Sequence, residues 1–235
     1  MDKRPVKILA LCAFLAVLAA PARAQWEAPP HDGPPQPQWA PPREARRERP
    51  EPGPDGRWLG NLNLFLGDKS LDRADWYPAE QQLEGGLSLD FQQARWPVAF
   101  AVEIFGSSGK GTAQDLSGNP LAVKGRTSEL GFGVKKIWDG FPYARPFVGA
   151  GLDFIRASFD VAGPAPEDNG SDTNSGAGLW FGTGVYWTLG QNVNLGFLYR
   201  YSDVRMSLLG ANVNAGGSHF GMVLGLHWGG RTASY

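Results

Sequence analysis

From Arg57 onward the chain is written in short runs where apolar and polar residues alternate with period two. That is the pattern of a strand with two unlike faces, and it excludes a helical protein. Eight such strands are predicted, at about 58–67, 81–92, 97–106, 124–137, 145–160, 177–188, 192–206 and 218–229. The gaps after the first, third, fifth and seventh strands hold about 11–17 residues, and the other three hold about 3–7. Long loops alternating with short turns are expected where strands cross a layer whose two sides differ. The prolines of this region are Pro78, Pro97, Pro120, Pro142, Pro146, Pro164 and Pro166. All fall in gaps or at strand starts, where a missing N–H breaks no ladder.

Each strand carries one large apolar face. The last reads Phe220, Met222, Leu224, Leu226, Trp228 on one parity and Gly221, Val223, Gly225, His227 on the other. The fourth reads Leu130, Phe132, Val134 against Glu129, Gly131, Gly133, Lys135. A soluble barrel would turn the apolar face inward and cover its outside with Lys, Glu, Thr and Gln. Here the second face is mostly Gly with isolated charges, which suits a crowded interior better than a solvated surface. Tryptophan sharpens the distinction. Trp58, Trp96, Trp138, Trp187 and Trp228 all fall at the short-turn side with the parity of the apolar face. That is the pattern of an aromatic girdle at one membrane–water boundary. The predicted fold is therefore an all-β, eight-stranded, antiparallel up-and-down transmembrane β-barrel with a disordered N-terminal arm. The mean hydropathy of −0.28 does not contradict this, because alternation averages out.

Four segments are predicted. Residues 1–24 have a basic start, an apolar run at 8–20 and Ala22-Arg23-Ala24, the three parts of a cleavable secretory signal. Residues 25–56 contain ten prolines and ten charges with almost no aliphatic side chains, so a packed core is out of reach and a disordered periplasmic arm is expected. Its Arg43, Arg46, Arg47 and Arg49, interleaved with Glu44 and Glu48, read as a solvated linker, or else as a docking segment for an envelope polymer, a headgroup or a protein. Residues 57–229 form the barrel, and 230–235 a C-terminal tail. Cys12, the only cysteine, lies in the signal, so disulfides and all-Cys metal sites are excluded from the mature chain. Removing the signal takes four bases and one acid, leaving 18 bases against 22 acids and a net charge of −4. No nucleic-acid partner is expected from that balance.

On these features the region 57–229 resembles the small eight-stranded outer-membrane barrels: the OmpA transmembrane domain, OmpX, and the opacity or surface-antigen proteins. The last strand, GSHFGMVLGLHW, looks like the family's assembly signal, an alternating strand closed by an aromatic. The family usually ends at that aromatic, whereas GGRTASY follows here, so either Trp228 or the tail would carry the signal. The resemblance implies an outer-membrane location after signal cleavage. It implies contact with outer-membrane lipid and lipopolysaccharide, and with the assembly machinery through the last strand.

Eight strands enclose room for side chains and no open pore. Glu84, Glu103, Glu129, Asp153 and Arg200 are placed about 8–12 residues above the short turns, and Asp90 and Lys135 about five. Unpaired buried charge is very costly, so these seven are expected to form ion pairs inside, with Arg200 as an upper hub and Asp90–Lys135 as a lower pair. The acids outnumber the bases, which leaves some carboxyls to be protonated. Such a cluster reads as a plug, or as a narrow proton or ion path. The family also contains lipid A deacylases and acyltransferases, but Ser218 and His219 are adjacent on a strand and face opposite ways. The glycine-rich pieces lack the spacing and strand–helix context of a phosphate loop. No enzyme activity, cofactor or metal is expected. Loop 163–176 is acidic; Asp160, Glu167, Asp168 and Asp172 read as solvated, or as weak contacts for divalent cations that bridge lipopolysaccharide. The expected role is structural or surface-interactive: envelope integrity or adhesion. The alternatives are a narrow channel for ions or small solutes, and a soluble periplasmic ligand carrier, which requires the two faces to be reversed.

Overall fold

The computed structural model describes residues 58–115, 117–139, 141, 144–164, 169–190 and 192–229. The signal, the Pro-rich arm and the tail lie outside the described residues. Each alternating run becomes a strand: β1 (Trp58–Ser70), β2 (Gln81–Gln93), β3 (Ala99–Gln114), β4 (Pro120–Ile137), β5 (Ala144–Ala162), β6 (Gly170–Leu189) and β7 (Val193–Asp203). A short hairpin of β8 (Arg205–Leu208) and β9 (Ala211–Asn214) precedes the last strand, β10 (Gly217–Trp228). One helical turn, α1 (Arg73–Trp76), lies between β1 and β2. The eight long strands close into one antiparallel barrel in the order β1-β10-β7-β6-β5-β4-β3-β2.

The faces are assigned by burial. On β1, Leu62, Leu64 and Leu66 are exposed while Asn61 and Asn63 are buried; Leu66 is 62% exposed and Asn63 0%. The same holds around the wall, with Phe100, Ile104, Phe132, Leu152, Phe154, Phe197, Leu224 and Leu226 outside. Leaving that much apolar surface outside is unfavourable in water and favourable in hydrocarbon. The soluble-carrier alternative, which needed the faces reversed, does not match this arrangement. On β10 the outward row from Phe220 to Trp228 crosses the band. At a tilt of about 40° such a row covers about 21 Å along the membrane normal, close to the ~25 Å of transmembrane barrels.

Glycine and aromatic residues fit together across the inner wall. A Cβ on Gly86 would lie 2.3 Å from the Phe105 ring, and one on Gly184 would lie 2.6 Å from Phe147. The inner face is therefore not only polar. Phe65, Phe105, Phe147, Tyr186, Leu198 and Val223 form a buried apolar cluster beside the charges.

Three of the four long connections are shorter than the sequence pattern predicts, and the one between β7 and β10 is longer and holds the hairpin. β3 and β4 run far beyond the apolar band and meet at a turn over 115–119, and β6 begins at Gly170, inside the predicted loop 163–176. Beyond the band the outward face is polar as well, so the contrast of apolar with polar residues that marks a strand in the sequence is lost. Asp160 and Asp172 lie on or beside strand ladders: Asp160 accepts from the Ser171 hydroxyl (2.7 Å) and Asp172 from the Leu209 N–H (2.6 Å). Glu167 and Asp168 lie outside the described residues. At the β3–β4 turn, the Asn119 side-chain amide and backbone N–H, with the Ser117 N–H, hold the Asp115 carboxyl below its ordinary range. That support is present above about pH 4 and is lost as the pH falls below it.

The lipid-facing assignment is tested by charge placement. Leu224→Arg, in the middle of the band, is expected to cost about 2–4 kcal/mol in urea titrations of protein refolded into phospholipid vesicles. Thr173→Arg, outward but beyond the band, is expected to change stability by no more than about 0.5 kcal/mol.

Candidate functional site

The alternation of each strand aims every second side chain toward the barrel axis. All seven predicted interior residues lie inside: Glu84, Asp90, Glu103, Glu129, Lys135, Asp153 and Arg200 are each at most 2% exposed. At the lower level Lys135 Nζ lies 2.9 Å from Asp90 and 2.7 Å from Glu103, and donates to Ser88 Oγ at 2.9 Å. The Tyr186 hydroxyl donates to Asp90 Oδ2 (3.2 Å), and its ring stacks on Phe147 at 4.5 Å. At the upper level Arg200 meets Glu103 (3.2 Å), Glu129 (2.9 Å) and Asp153 (2.8 Å). Its guanidinium lies over the rings of Phe105 (5.1 Å) and Trp180 (5.3 Å). Glu103 touches both cations, so the two levels form one network.

Two bases that the sequence does not assign to the interior cluster complete it. Lys69 pairs with Glu129, and donates to Thr127 Oγ1 (3.1 Å) and the Ala215 carbonyl (2.8 Å). His219 Nδ1 lies 2.8 Å from Glu84 Oε2, and its Nε2 lies 3.2 Å from Ser202 Oγ. Every one of the five carboxylates therefore has a basic partner within 4 Å, while the five acids still outnumber the four bases. Both bases had a signal. Lys69 has the parity of Asn61 and Asn63 but lies past the predicted end of its strand at 67. His219 has the parity of Gly221 and Val223. Its neighbour Ser218 faces outward toward the Tyr199 hydroxyl (3.4 Å), so the two side chains are on opposite sides of the wall.

Glu84, Glu129 and His219 also bring three metal-ligand atoms within 4.8 Å of one another, the one such trio among the described residues. Lys69 and Arg200 already neutralise Glu129 there, so the trio is a salt-bridge node and fits a cation poorly.

Above the network an apolar layer fills the outer end. Trp76 of α1 is buried with Leu71, Ile155, Ala157, Val204, Met206, Leu208, Val213 and Ala215, and its indole N–H donates to the Asn214 carbonyl (2.8 Å). Below the network, Arg145 reaches Asn61 (3.2 Å) and Asp139 (2.6 Å), and Asn194 donates to Asn61 (3.0 Å). At the short-turn rim Trp58, Trp96, Trp187 and Trp228 are exposed on the outside. Trp58 and Trp96 meet edge to face at 5.5 Å, and Trp187 and Phe197 at 6.0 Å. Trp138 is half-buried in the β4–β5 turn, with its backbone N–H on the Pro146 carbonyl (3.0 Å).

No family model and no curated protein sequence matches this chain. Solved structures similar to it include Neisserial surface protein A, at 16% identity over 72% of this chain and 96% of that one, with a TM-score of 0.46. Ail, the attachment invasion locus protein of Yersinia pestis, is 12% identical over 74% of this chain and 99% of its own, with a TM-score of 0.42. OprG, an outer membrane protein of Pseudomonas aeruginosa, is 13% identical over 74% and 96%, with a TM-score of 0.47. The barrel assignment stands on this chain's own closed strand pairing.

Removing Lys69 strands the Glu129 carboxylate on one side. Lys69→Met is expected to destabilise the barrel by about 3–5 kcal/mol, the usual cost of breaking a buried pair from one end. The midpoint of the folded-to-unfolded gel-shift transition in guanidinium measures it.

Proposed function

We propose that the protein is an outer-membrane barrel that is closed to ions and serves a structural or surface-contact role in the envelope. The observation that supports this is the continuous filling of the interior. From the outer end inward there is an apolar layer around Trp76, then the Lys69–Glu129–Arg200 node, then Lys135 with Asp90 and Glu103, then the Asn61–Asn194–Arg145 set. Opening a path means separating buried paired charges, which is expensive. In this reading the Trp-bearing rim is periplasmic and the longer strand ends of β3–β6 stand above the outer leaflet. Trp228 closes the strand that the assembly machinery reads. The N-terminal arm supplies a periplasmic contact with an envelope polymer or protein.

The test joins insertion to conductance. Mature protein refolded into vesicles is expected to shift mobility on heating and to give no discrete current steps in planar bilayers. Reproducible steps from a heat-modifiable sample would replace the closed reading with the channel reading. A protein soluble without detergent would remove the membrane reading altogether.

A further inference from the structure

The outward face of β3, β4 and β5 carries four cations beyond the apolar band: Lys110, Lys124, Arg126 and Arg156. The strand register fixes their spacing. Lys110 is directly opposite Lys124, and Arg126 is opposite Ser158 while Arg156 is opposite Ser128, which makes the two arginines diagonal neighbours. Diagonal partners across a strand pair are about 7–8 Å apart, and directly opposite ones about 4.5–5.5 Å. None of the four makes an ion pair or side-chain hydrogen bond to a described residue. Two other exposed cations at the outer end do: Arg73 meets Glu80 (3.6 Å), and Arg205 meets Asp203 (3.8 Å). Asp160, opposite Lys124, instead accepts from Ser171. Two lysines facing each other across a ladder repel, and a bound anion relieves that repulsion.

The surroundings choose the kind of anion. Arg156 is two residues beyond Phe154, and Arg126 four residues beyond Leu130, on the lipid-facing side of the same strands. Small side chains at Ser128, Ser175 and Ala177 leave a groove of about 530 Å³ between Leu130, Phe154 and Arg156. A ligand seated there meets hydrocarbon contacts at one end and cations at the other. The opposite wall differs: its outward residues include Asp68, Tyr199, Tyr201 and Asp203, and its cations Arg73 and Arg205 are held in ion pairs.

We propose that this face binds the phosphorylated sugar headgroup of an outer-leaflet glycolipid, with Arg126 and Arg156 on phosphate, Lys110 and Lys124 completing the charge, and an acyl chain along the groove beside Phe154. The inference rests on the outer-membrane reading and adds to it a sided lipid site. Guanidinium groups suit phosphate because they bind it with two parallel N–H donors.

The test uses full-length mature protein refolded in detergent micelles and mixed with purified bis-phosphorylated lipid A, its dephosphorylated form, or a zwitterionic phospholipid. Bound lipid is counted by native mass spectrometry. Every sample is first scored for the heat-dependent gel shift and for insertion into vesicles. Wild type is expected to retain the phosphorylated lipid in preference to the other two. Arg126→Gln/Arg156→Gln is expected to bind it at least tenfold more weakly. Asp68→Asn/Asp203→Asn on the opposite wall is expected to leave binding unchanged. Equal binding by wild type and the double-arginine variant, or indifference to phosphorylation, would overturn the proposal while the membrane reading stands. Full competition by a soluble sulfated polysaccharide that binds without lipid would reassign the patch to a soluble polyanion. A wild type that does not insert overturns the membrane reading and this site with it.

Discussion

The guanidinium of Arg200 reaches from β7 across the lumen to carboxylates on β3, β4 and β5, between the rings of Phe105 and Trp180. Lys69 ties β1 to β4 and Tyr186 ties β6 to β2 in the same way. These ties take the place that a hydrophobic core has in a soluble barrel. With hydrocarbon outside, apolar side chains gain little by facing in. What draws the walls together is the cost of leaving a charge or a polar group inside without a partner. The interior is narrow enough that each long side chain meets residues of the opposite wall, which also leaves little room for water or solute.

The aromatic content of the interior serves the same end. Phe105 and Trp180 flank the guanidinium, and Phe147 lies 5.5 Å below the Lys135 ammonium. The rings exclude water from the ion pairs and present their negative faces to the cations. Glycines opposite them make the space: a Cβ on Gly133 would lie 2.6 Å from the Trp180 indole. The glycine-rich face is therefore a mould for large neighbours as well as a polar lining.

How much of this was legible follows from where alternation is enforced. Within the apolar band lipid selects one parity and the lumen the other, so β1, β2, β7 and β10 lie close to their predicted limits. Past the band lipid no longer selects an apolar outward face, and Ser107–Gln114 and Gly170–Gly176 read as loop while forming strand. The seven charges of the predicted interior were visible as charged residues on the glycine parity. Lys69 was hidden by a strand end placed three residues early. His219 was visible by parity, but it was weighed only as a base for Ser218. The inward Phe65 and Phe105 ran against the rule that the second face is polar, and Gly86, beside Phe105 across the ladder, was the signal for one of them.

Among the described residues Asp153 pairs with Arg200 alone, which makes that pair the cleanest place to ask whether paired charge holds the walls together. A double-mutant cycle of Arg200→Met and Asp153→Asn, read by guanidinium unfolding in lipid vesicles, measures the coupling directly. A cross-lumen tie gives a coupling of about 1.5 kcal/mol or more, with the double variant losing less than the sum of the singles. Additivity to within about 0.5 kcal/mol would contradict it and leave the barrel held by its ladders and rings alone.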